Sequence, residues 1–403
     1  MSGHIVIGAG QAGASLVARL RQEDPDSPVT LIGEEPAPPY QRPPLSKKYL
    51  MGEMDLERLY LRPERFYAEQ RIDLRLGARA VAIDRAAKEV VLEGGVRLGY
   101  RTLALTTGSS PRLLPAAIGG DLAGVYPVRT LAHIDAMAAE FVPGARCLIV
   151  GGGYIGLEAA AVAASRGLNV VLVEAMERIL QRVAAPQTSD WFRALHSRHG
   201  VDIREGTGLD RLEGDTRVRR VVLSDGRTLD VDFVLVGIGI VPETALAEAA
   251  GLAIENGIRV DASCRTSDPA IFAAGDCASF PYGAARLRLE SVPNAIEQAE
   301  VAAVNMAGGD ARYLAKPWFW SDQYDVKLQI AGLNAGHDRA VVRPGAREGT
   351  QSVWYYRGAE LLAVDAMNDP RAYMIGKRLI EAGRSPTPEA VADPGIDLKT
   401  LAD

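Results

Sequence analysis

Apolar positions in this chain come in short runs that break at glycine clusters and then resume at helical spacing. Residues 4–7 form one such run, followed by Gly8-Ala9-Gly10-Gln11-Ala12-Gly13 and by residues 14–21, which read as a helix. A second run, Val29–Ile32, leads to Glu34, about 20 residues beyond the last glycine. The order is strand, turn, helix, strand, acid. In such a unit Gly8 permits a sharp turn, Gly10 lets the backbone approach a pyrophosphate and Gly13 lets helix and strand pack closely, while free N–H groups near Ala12 face phosphate. Glu34 stands where a ribose hydroxyl needs an acceptor.

The same arrangement returns in residues 147–150, Gly151-Gly152-Gly153-Tyr154-Ile155-Gly156, residues 157–166 and Asn169–Val173, closing on Glu174. Two dinucleotides are implied, with Gly151, Gly153, Ile155, Gly156 and Glu174 lining the second site. A carboxylate at Glu174 accepts from a free 2′-hydroxyl but repels a 2′-phosphate, by up to ~4 kcal/mol per charge pair at 4 Å and an effective dielectric near 20. That predicts NADH over NADPH, with Arg178 and Arg182 downstream as possible softening charges. A third apolar run over residues 271–274 stops at Gly275-Asp276. Alone it fits a strand ending in an Asx turn as well as it fits a ligand site.

Beyond residue 318, runs at 328–331, 340–342, 353–356 and 361–364 are spaced like antiparallel strands, residues 374–381 read as a helix, and the proline-bearing segment 385–403 reads as loosely attached. At 403 residues the chain is too long for one ordinary core. A net charge of −6 argues against broad nucleic-acid binding. Charges interrupt the apolar stretches well short of the ~20 residues a membrane helix needs, and a first strand starting near His4 leaves no room for a targeting segment, so a cytoplasmic location without a membrane span is expected. Cys147, Cys264 and Cys277 form no C-x-x-C or C-x₄-C pair. No resident metal is expected.

Taken together, the two glycine units and Gly275-Asp276 resemble the flavoprotein reductases that carry two dinucleotide-binding domains, over residues 4 to about 370. The resemblance is closer to the ferredoxin reductases of bacterial oxygenase systems, of the putidaredoxin reductase type. It is carried by Arg42-Pro43-Pro44-Leu45-Ser46-Lys47, residues 151–158, Leu289-Glu290-Ser291-Val292-Pro293-Asn294-Ala295 and Pro317-Trp318-Phe319-Trp320-Ser321-Asp322-Gln323. The resemblance implies an α/β fold with two Rossmann-like domains, the NAD domain inserted in the FAD domain, and a C-terminal α+β domain. The segments are 1–108 and 237–312 for FAD, 109–236 for NADH and 313–403 for the last domain. It places FAD contacts at Ala12, Glu34, Lys47, Val81, Arg129, Asp276 and Val292, beside the glycines and Arg42. Val81 is the least informative of these, because an apolar residue in a strand such as residues 80–83 is usually core.

Where disulfide reductases of this superfamily place C-x₄-C, this chain has Arg42-Pro43-Pro44-Leu45-Ser46-Lys47-Lys48. Thiol exchange is disfavoured, so reduced flavin must deliver its electrons directly, which suits a one-electron [2Fe–2S] ferredoxin. Lys47 and Glu158 are expected to form a buried ion pair, Lys47 tuning the flavin and Glu158 positioning the nicotinamide. Tyr154 serves either as a cover for the flavin or as helix packing. Trp318 and Trp320, on one face of an extended chain, are either an aromatic core or, for Trp320, a spacer beside the flavin. Arg286, Arg288 and Lys327 are candidates for docking an acidic redoxin. Two rivals stay open: reduction of rubredoxin or another small acceptor, and a redox sensor like apoptosis-inducing factor.

Overall fold

A computed structural model describes residues 3–401. Its contacts divide the chain into two units, each built from discontinuous stretches. One comprises Met1–Pro44, Met54–Ser110 and Ile240–Ala315; the other comprises Leu45–Glu53, Pro111–Gly239 and Lys316–Asp403.

In the former unit a parallel sheet runs Ile72–Arg75, Val29–Ile32, Gly3–Ile7, Arg97–Leu105, with Ile271–Ala273 on the far side of Arg97–Leu105. Gly3–Ile7 is buried along its whole length, as expected for a strand covered on both faces. The helix Gln11–Glu23 covers one face, burying Leu16, Val17 and Leu20. The nine-residue strand Arg97–Leu105 has two partners in succession. Its first residues pair antiparallel with Glu89–Leu92, and from Tyr100 onward it pairs parallel with Gly3–Ile7. Glu89–Leu92 pairs in turn with Ala80–Asp84, where the register skips Val81. The skip turns Val81 outward, 48% exposed, so it is a bulge residue and not core.

The latter unit holds a second all-parallel sheet, Asp202–Arg204, Asn169–Val173, Arg146–Val150, Phe233–Val236, Val125–Pro127. The helix Tyr154–Ser165 is alanine-rich and buried from Gly156 through Ala163. The same unit carries the C-terminal antiparallel sheet, ordered Trp318–Gln323, Val326–Gly332, Glu360–Met367, Gln351–Arg357, Arg339–Pro344. Four of these strands contain the runs read from sequence, each extended at its ends. Helix Pro370–Glu381 begins four residues before the expected start, because the Asp369 carboxylate caps the Ala372 N–H (3.0 Å) and Pro370 suits the first turn.

The tail corrects the sequence reading: residues 385–401 are not loosely attached. The buried Arg343 guanidinium donates to the carbonyls of Val391 (2.8 Å), Asp393 (2.8 Å) and Ile396 (2.7 Å), while Val391 and Leu398 enter the same core as Trp354 and Val364. Composition hid this, since the anchor lies in a strand some fifty residues away. Among the described residues no helix is long and apolar enough to cross a membrane.

Candidate active site

The two glycine turns share one backbone design. Gly8 and Gly151 have φ of +113° and +108°, and a Cβ on either would drive into a facing carbonyl, that of Thr106 or of Gly237. On Gly13 or Gly156 it would strike the carbonyl of Gly8 or Gly151, so these two set how closely helix meets turn. Gly10 and Gly153 differ from all four: a Cβ there meets nothing within 4 Å. These middle glycines also stand at the N-cap of the two helices, and neither helix has a side-chain cap. Each turn therefore leaves an open approach to a helix N-terminus, which fits a pyrophosphate.

Gly275-Asp276 belongs with the former turn. Gly275, at φ +85°, packs where a Cβ would come within 3.1 Å of Ala12, and its N–H donates to Gln298 Oε1 (2.8 Å). Asp276 accepts from Ser109 Oγ (2.8 Å). Val292 opens helix Val292–Met306, next to the cap Ser291, whose Oγ accepts from the Asn294 N–H (3.3 Å). Glu34 is 68% exposed, with Arg79 at 3.3 Å. Its neighbour Glu35, which the sequence reading passed over, holds Tyr40 Oη (2.5 Å) and Arg42 (2.8 Å).

The Glu174 carboxylate is engaged by its own turn, accepting from the Gly152 N–H (2.7 Å) and the Met176 N–H (2.8 Å). Ile155, in the first helical turn, is 40% exposed. Arg178 faces Ser189 Oγ (2.6 Å) and Arg182 is exposed.

Lys47 and Glu158 do pair, with Nζ and Oε2 2.8 Å apart and side chains only 15% and 10% exposed. Lys47 sits in the tight turn Leu45–Tyr49 with non-helical φ and ψ of −127° and −107°, a distortion that accompanies its turn toward the helix. The other oxygen of Glu158 accepts from Ser321 Oγ (2.8 Å) and from the Asp322 N–H (3.3 Å). Burial pushes the Glu158 carboxyl up, while Lys47, Ser321 and the Asp322 N–H pull it back down.

Helix and strand register explain this meeting. Tyr154 and Glu158 are one helical turn apart, about 6 Å, and Phe319 and Ser321 are two strand residues apart, about 6.6 Å. The Tyr154 ring packs on Phe319 (5.0 Å) as Glu158 meets Ser321. Among the described residues the buried Tyr154 hydroxyl has no hydrogen-bond partner, and its ring contact favours the packing role over the cover. Trp318 and Trp320 stack on the opposite strand face at 5.7 Å, as their alternation predicts, with Lys377 over Trp318 at 4.9 Å. Arg129 is half-buried ahead of helix Leu131–Met137.

All three cysteines are free and buried, and burial raises each thiol. None is suited to thiolate chemistry.

Residues 2–299 match the family model described as pyridine nucleotide-disulphide oxidoreductase, and residues 318–402 match a reductase C-terminal domain. The chain belongs to the pyridine nucleotide-disulphide oxidoreductase family. Full-length relatives within it include reductases. The rhodocoxin reductase of Rhodococcus erythropolis is 41% identical over 98% of this chain and 93% of its own. A ferredoxin–NAD(P)+ reductase of Sphingomonas sp. is 44% identical over 97% and 94%. The structure of a covalent putidaredoxin reductase–putidaredoxin complex superposes with a TM-score of 0.95 at 39% identity, covering 99% of this chain and 98% of that one. This family member is thus an FAD oxidoreductase of the ferredoxin reductase type that uses a nicotinamide nucleotide, and its two open glycine turns match the two dinucleotides such an enzyme needs.

Two of the docking candidates need correcting in this light. Arg286 donates to the carbonyls of Val260 (2.7 Å) and Ser279 and pairs with Glu255 (3.0 Å). Arg288 donates to the Asp276 carbonyl (3.1 Å), pairs with Glu290 (2.7 Å) and is 11% exposed. Both cations are absorbed within the fold. Lys327 is outward, 53% exposed, with Asp322 at 3.0 Å.

Proposed function

We propose that this chain takes hydride from NADH and passes the electrons one at a time to an acidic [2Fe–2S] ferredoxin that feeds an oxygenase. The observation that carries the reading is two open dinucleotide turns in a chain whose three thiols are buried and unpaired. No sulfur shuttle stands between flavin and acceptor. Bound FAD supplies two-electron acceptance from hydride and one-electron release; the residues bind, orient and exclude water.

Gly8, Gly10, Ala12, Gly13, Glu34, Arg42, Asp276 and Val292, with Val81 and Arg129, are assigned to FAD. Gly151, Gly153, Ile155, Gly156 and Glu174 are assigned to NADH. Lys47 and Glu158 act in the hydride step, Lys47 on the flavin and Glu158 on the nicotinamide, since hydride transfer depends on alignment more than on acid or base. Trp320 packs beside the flavin as a spacer. Glu174 sets the preference for NADH, because a 2′-phosphate would face a carboxylate already fixed by two backbone N–H groups. The NAD segment is 109–236, set within FAD segments 1–108 and 237–312, with 313–403 as the C-terminal domain. A cytoplasmic location accords with three free thiols and with NADH as donor.

The test is NADH-driven reduction of purified [2Fe–2S] ferredoxins by the FAD-loaded enzyme, followed by their visible absorption. Stoichiometric reduction of at least one, falling with ionic strength, is expected. Flavin that NADH reduces but that no ferredoxin reoxidises would defeat the reading.

A further inference from the structure

Glu158 is the end of a longer chain of side chains. Ser321 Oγ donates to Glu158 Oε1 (2.8 Å), Gln323 Nε2 donates to Ser321 Oγ (3.2 Å), and Gln323 Oε1 lies 2.8 Å from His196 Nε2. His196 Nδ1 is 3.2 Å from the hydroxyl of Tyr324, whose ring stacks on the exposed His199 at 3.7 Å between centroids. Ser321, Gln323 and His196 are completely buried, at 0% exposure.

The sense of each bond follows from its neighbour. The Glu158 carboxylate, paired to Lys47, only accepts, so Ser321 must donate to it and has a lone pair left for the Gln323 amide N–H. That turns the Gln323 carbonyl oxygen to His196, which must carry its proton on Nε2, leaving Nδ1 to accept from Tyr324. Burial holds the His196 imidazole down to about 4, so it is neutral and makes one donor and one acceptor, as the chain requires. Every donor points toward Glu158. An amide in the middle makes the chain a poor proton conductor and a good orienting device.

We propose that Gln323 and His196 are positioning residues for the Lys47–Glu158 pair, holding one carboxylate oxygen through Ser321 so that the other is presented to Lys47 and Glu158 stays ionised. The inference rests on the reading of Lys47 and Glu158 given above. The groups facing Glu158 are Lys47 from the turn and Ser321 and the Asp322 N–H from the strand. Those facing His196 are Gln323, Tyr324 and His199. Alignment of the pair is what the hydride step needs, so loosening it lowers rate more than nucleotide affinity.

The test uses the full FAD-loaded chain with two readouts. One is the isotope-labelled carboxyl resonance of Glu158 against pH, assigned by its loss in Glu158→Gln. The other is flavin reduction by NADH in stopped flow. In Gln323→Met the carboxyl should titrate about one unit higher, a tenfold change in its proton affinity. The limiting rate should fall about tenfold with the NADH KM within about twofold. Two variants at His196 separate orientation from packing. Glutamine places its amide nitrogen near the position of imidazole Nε2, so His196→Gln should behave as wild type, whereas His196→Phe keeps the ring, loses the donor and should follow Gln323→Met. An unmoved Glu158 resonance in Gln323→Met, or wild-type behaviour in His196→Phe with loss in His196→Gln, would overturn the proposal. If the resonance shifts while the rate does not, the chain stands and the role given to Glu158 in hydride transfer fails.

Discussion

The two nucleotide turns have one backbone and two different acids. Ile7 pairs with Ile32 and Val150 with Val173, so Gly33 and Glu174 occupy equivalent places at the strand ends. Opposite Gly33 stands Ala9, and a Cβ on Gly33 would come within 2.6 Å of it. Opposite Glu174 stands Gly152, with no side chain to interfere. Only one of the two facing positions can carry a side chain. Where the turn residue is alanine the strand residue is glycine and the acid moves one place on, to an exposed Glu34; where the turn residue is glycine the acid takes the place itself and binds the turn's N–H. Equal spacing of the turn glycines thus conceals a nearly free carboxylate in one turn and a structural one in the other.

The helices that follow differ more sharply, and the largest predicted effect tests that difference. Counting from the first glycine of each turn, the position of Glu158 is taken by the partly exposed Ser15 in the other helix. Lys47→Ala should cost about 3–5 kcal/mol because it leaves Glu158 buried and uncompensated. Ser15→Ala should stay within about 0.5 kcal/mol. Replacing both partners, Lys47→Met with Glu158→Leu, should restore most of the lost stability. Urea unfolding of the four proteins checks this, and a Lys47→Ala enzyme as stable as wild type would show that the pair is solvated.

The two units also carry buried or half-buried acids of opposite pH response. Hydrogen bonds from His4, Ser27 and Arg101 hold the Asp24 carboxyl far below the usual range against the opposing effect of burial. Its contribution is therefore present above the unfolded value and lost as pH falls. Asp365 is fully buried, and burial raises it from 3.8 to about 6 although Tyr355 and Thr188 donate to it. The sign reverses: protonated Asp365 favours the fold at low pH, and that advantage disappears as pH rises through about 6. The shift of roughly two units corresponds to about 3 kcal/mol at most. Asp365→Asn should remove this term, so that relative to wild type its melting temperature rises between about pH 4 and about pH 6, the interval between the unfolded and folded values. Parallel pH profiles for the two proteins would count against the assignment.

Next in size come the glycines. Gly13→Ala and Gly156→Ala each force a methyl against a carbonyl and should cost about 1–3 kcal/mol, since backbone and not a flexible side chain is in the way. Gly10→Ala and Gly153→Ala meet open space and should leave melting unchanged in the nucleotide-free protein while weakening binding. Gly10→Ala should lower retention of flavin colour, and Gly153→Ala should raise the NADH KM with FAD retained. Loss of flavin from Gly153→Ala would break the assignment of the two turns.

What could be read from the sequence follows from how local each cause is. Strand runs, the turn glycines and the alternation of Trp318 and Trp320 depend on neighbours a few residues away, and the structure shows all of them. The Lys47–Glu158 pair came from motif resemblance, yet its support did not: Ser321 and Gln323 face inward on a strand whose other face carries the tryptophans. Two polar residues at core-facing alternate positions were the available signal. The bulge at Val81 depends on the partner strand's register, and the partial burial of Arg286 and Arg288 and the full burial of Arg343 depend on carbonyls supplied by other segments. A lone arginine in a sequence gives no sign of whether it meets solvent or a ring of carbonyls.

The smallest effects separate the acids themselves. Glu174→Ala removes two charge-assisted bonds to its own turn and should cost about 1–2 kcal/mol, because the partly buried Gly152 N–H loses its acceptor. The same change removes the charge opposed to a 2′-phosphate, so the ratio of kcat/KM for NADPH to that for NADH should rise. Glu34→Ala loses only an exposed pairing with Arg79 and should lie within about 0.5 kcal/mol of wild type. Its effect should appear in flavin affinity alone, as a modest rise in the FAD dissociation constant of reconstituted enzyme. The order matters more than either value. If Glu34→Ala proved the more destabilising, the offset between the strand ends would not decide which acid supports its turn; if Glu174→Ala left the NADPH ratio unchanged, its carboxylate would be holding the turn without selecting the nucleotide.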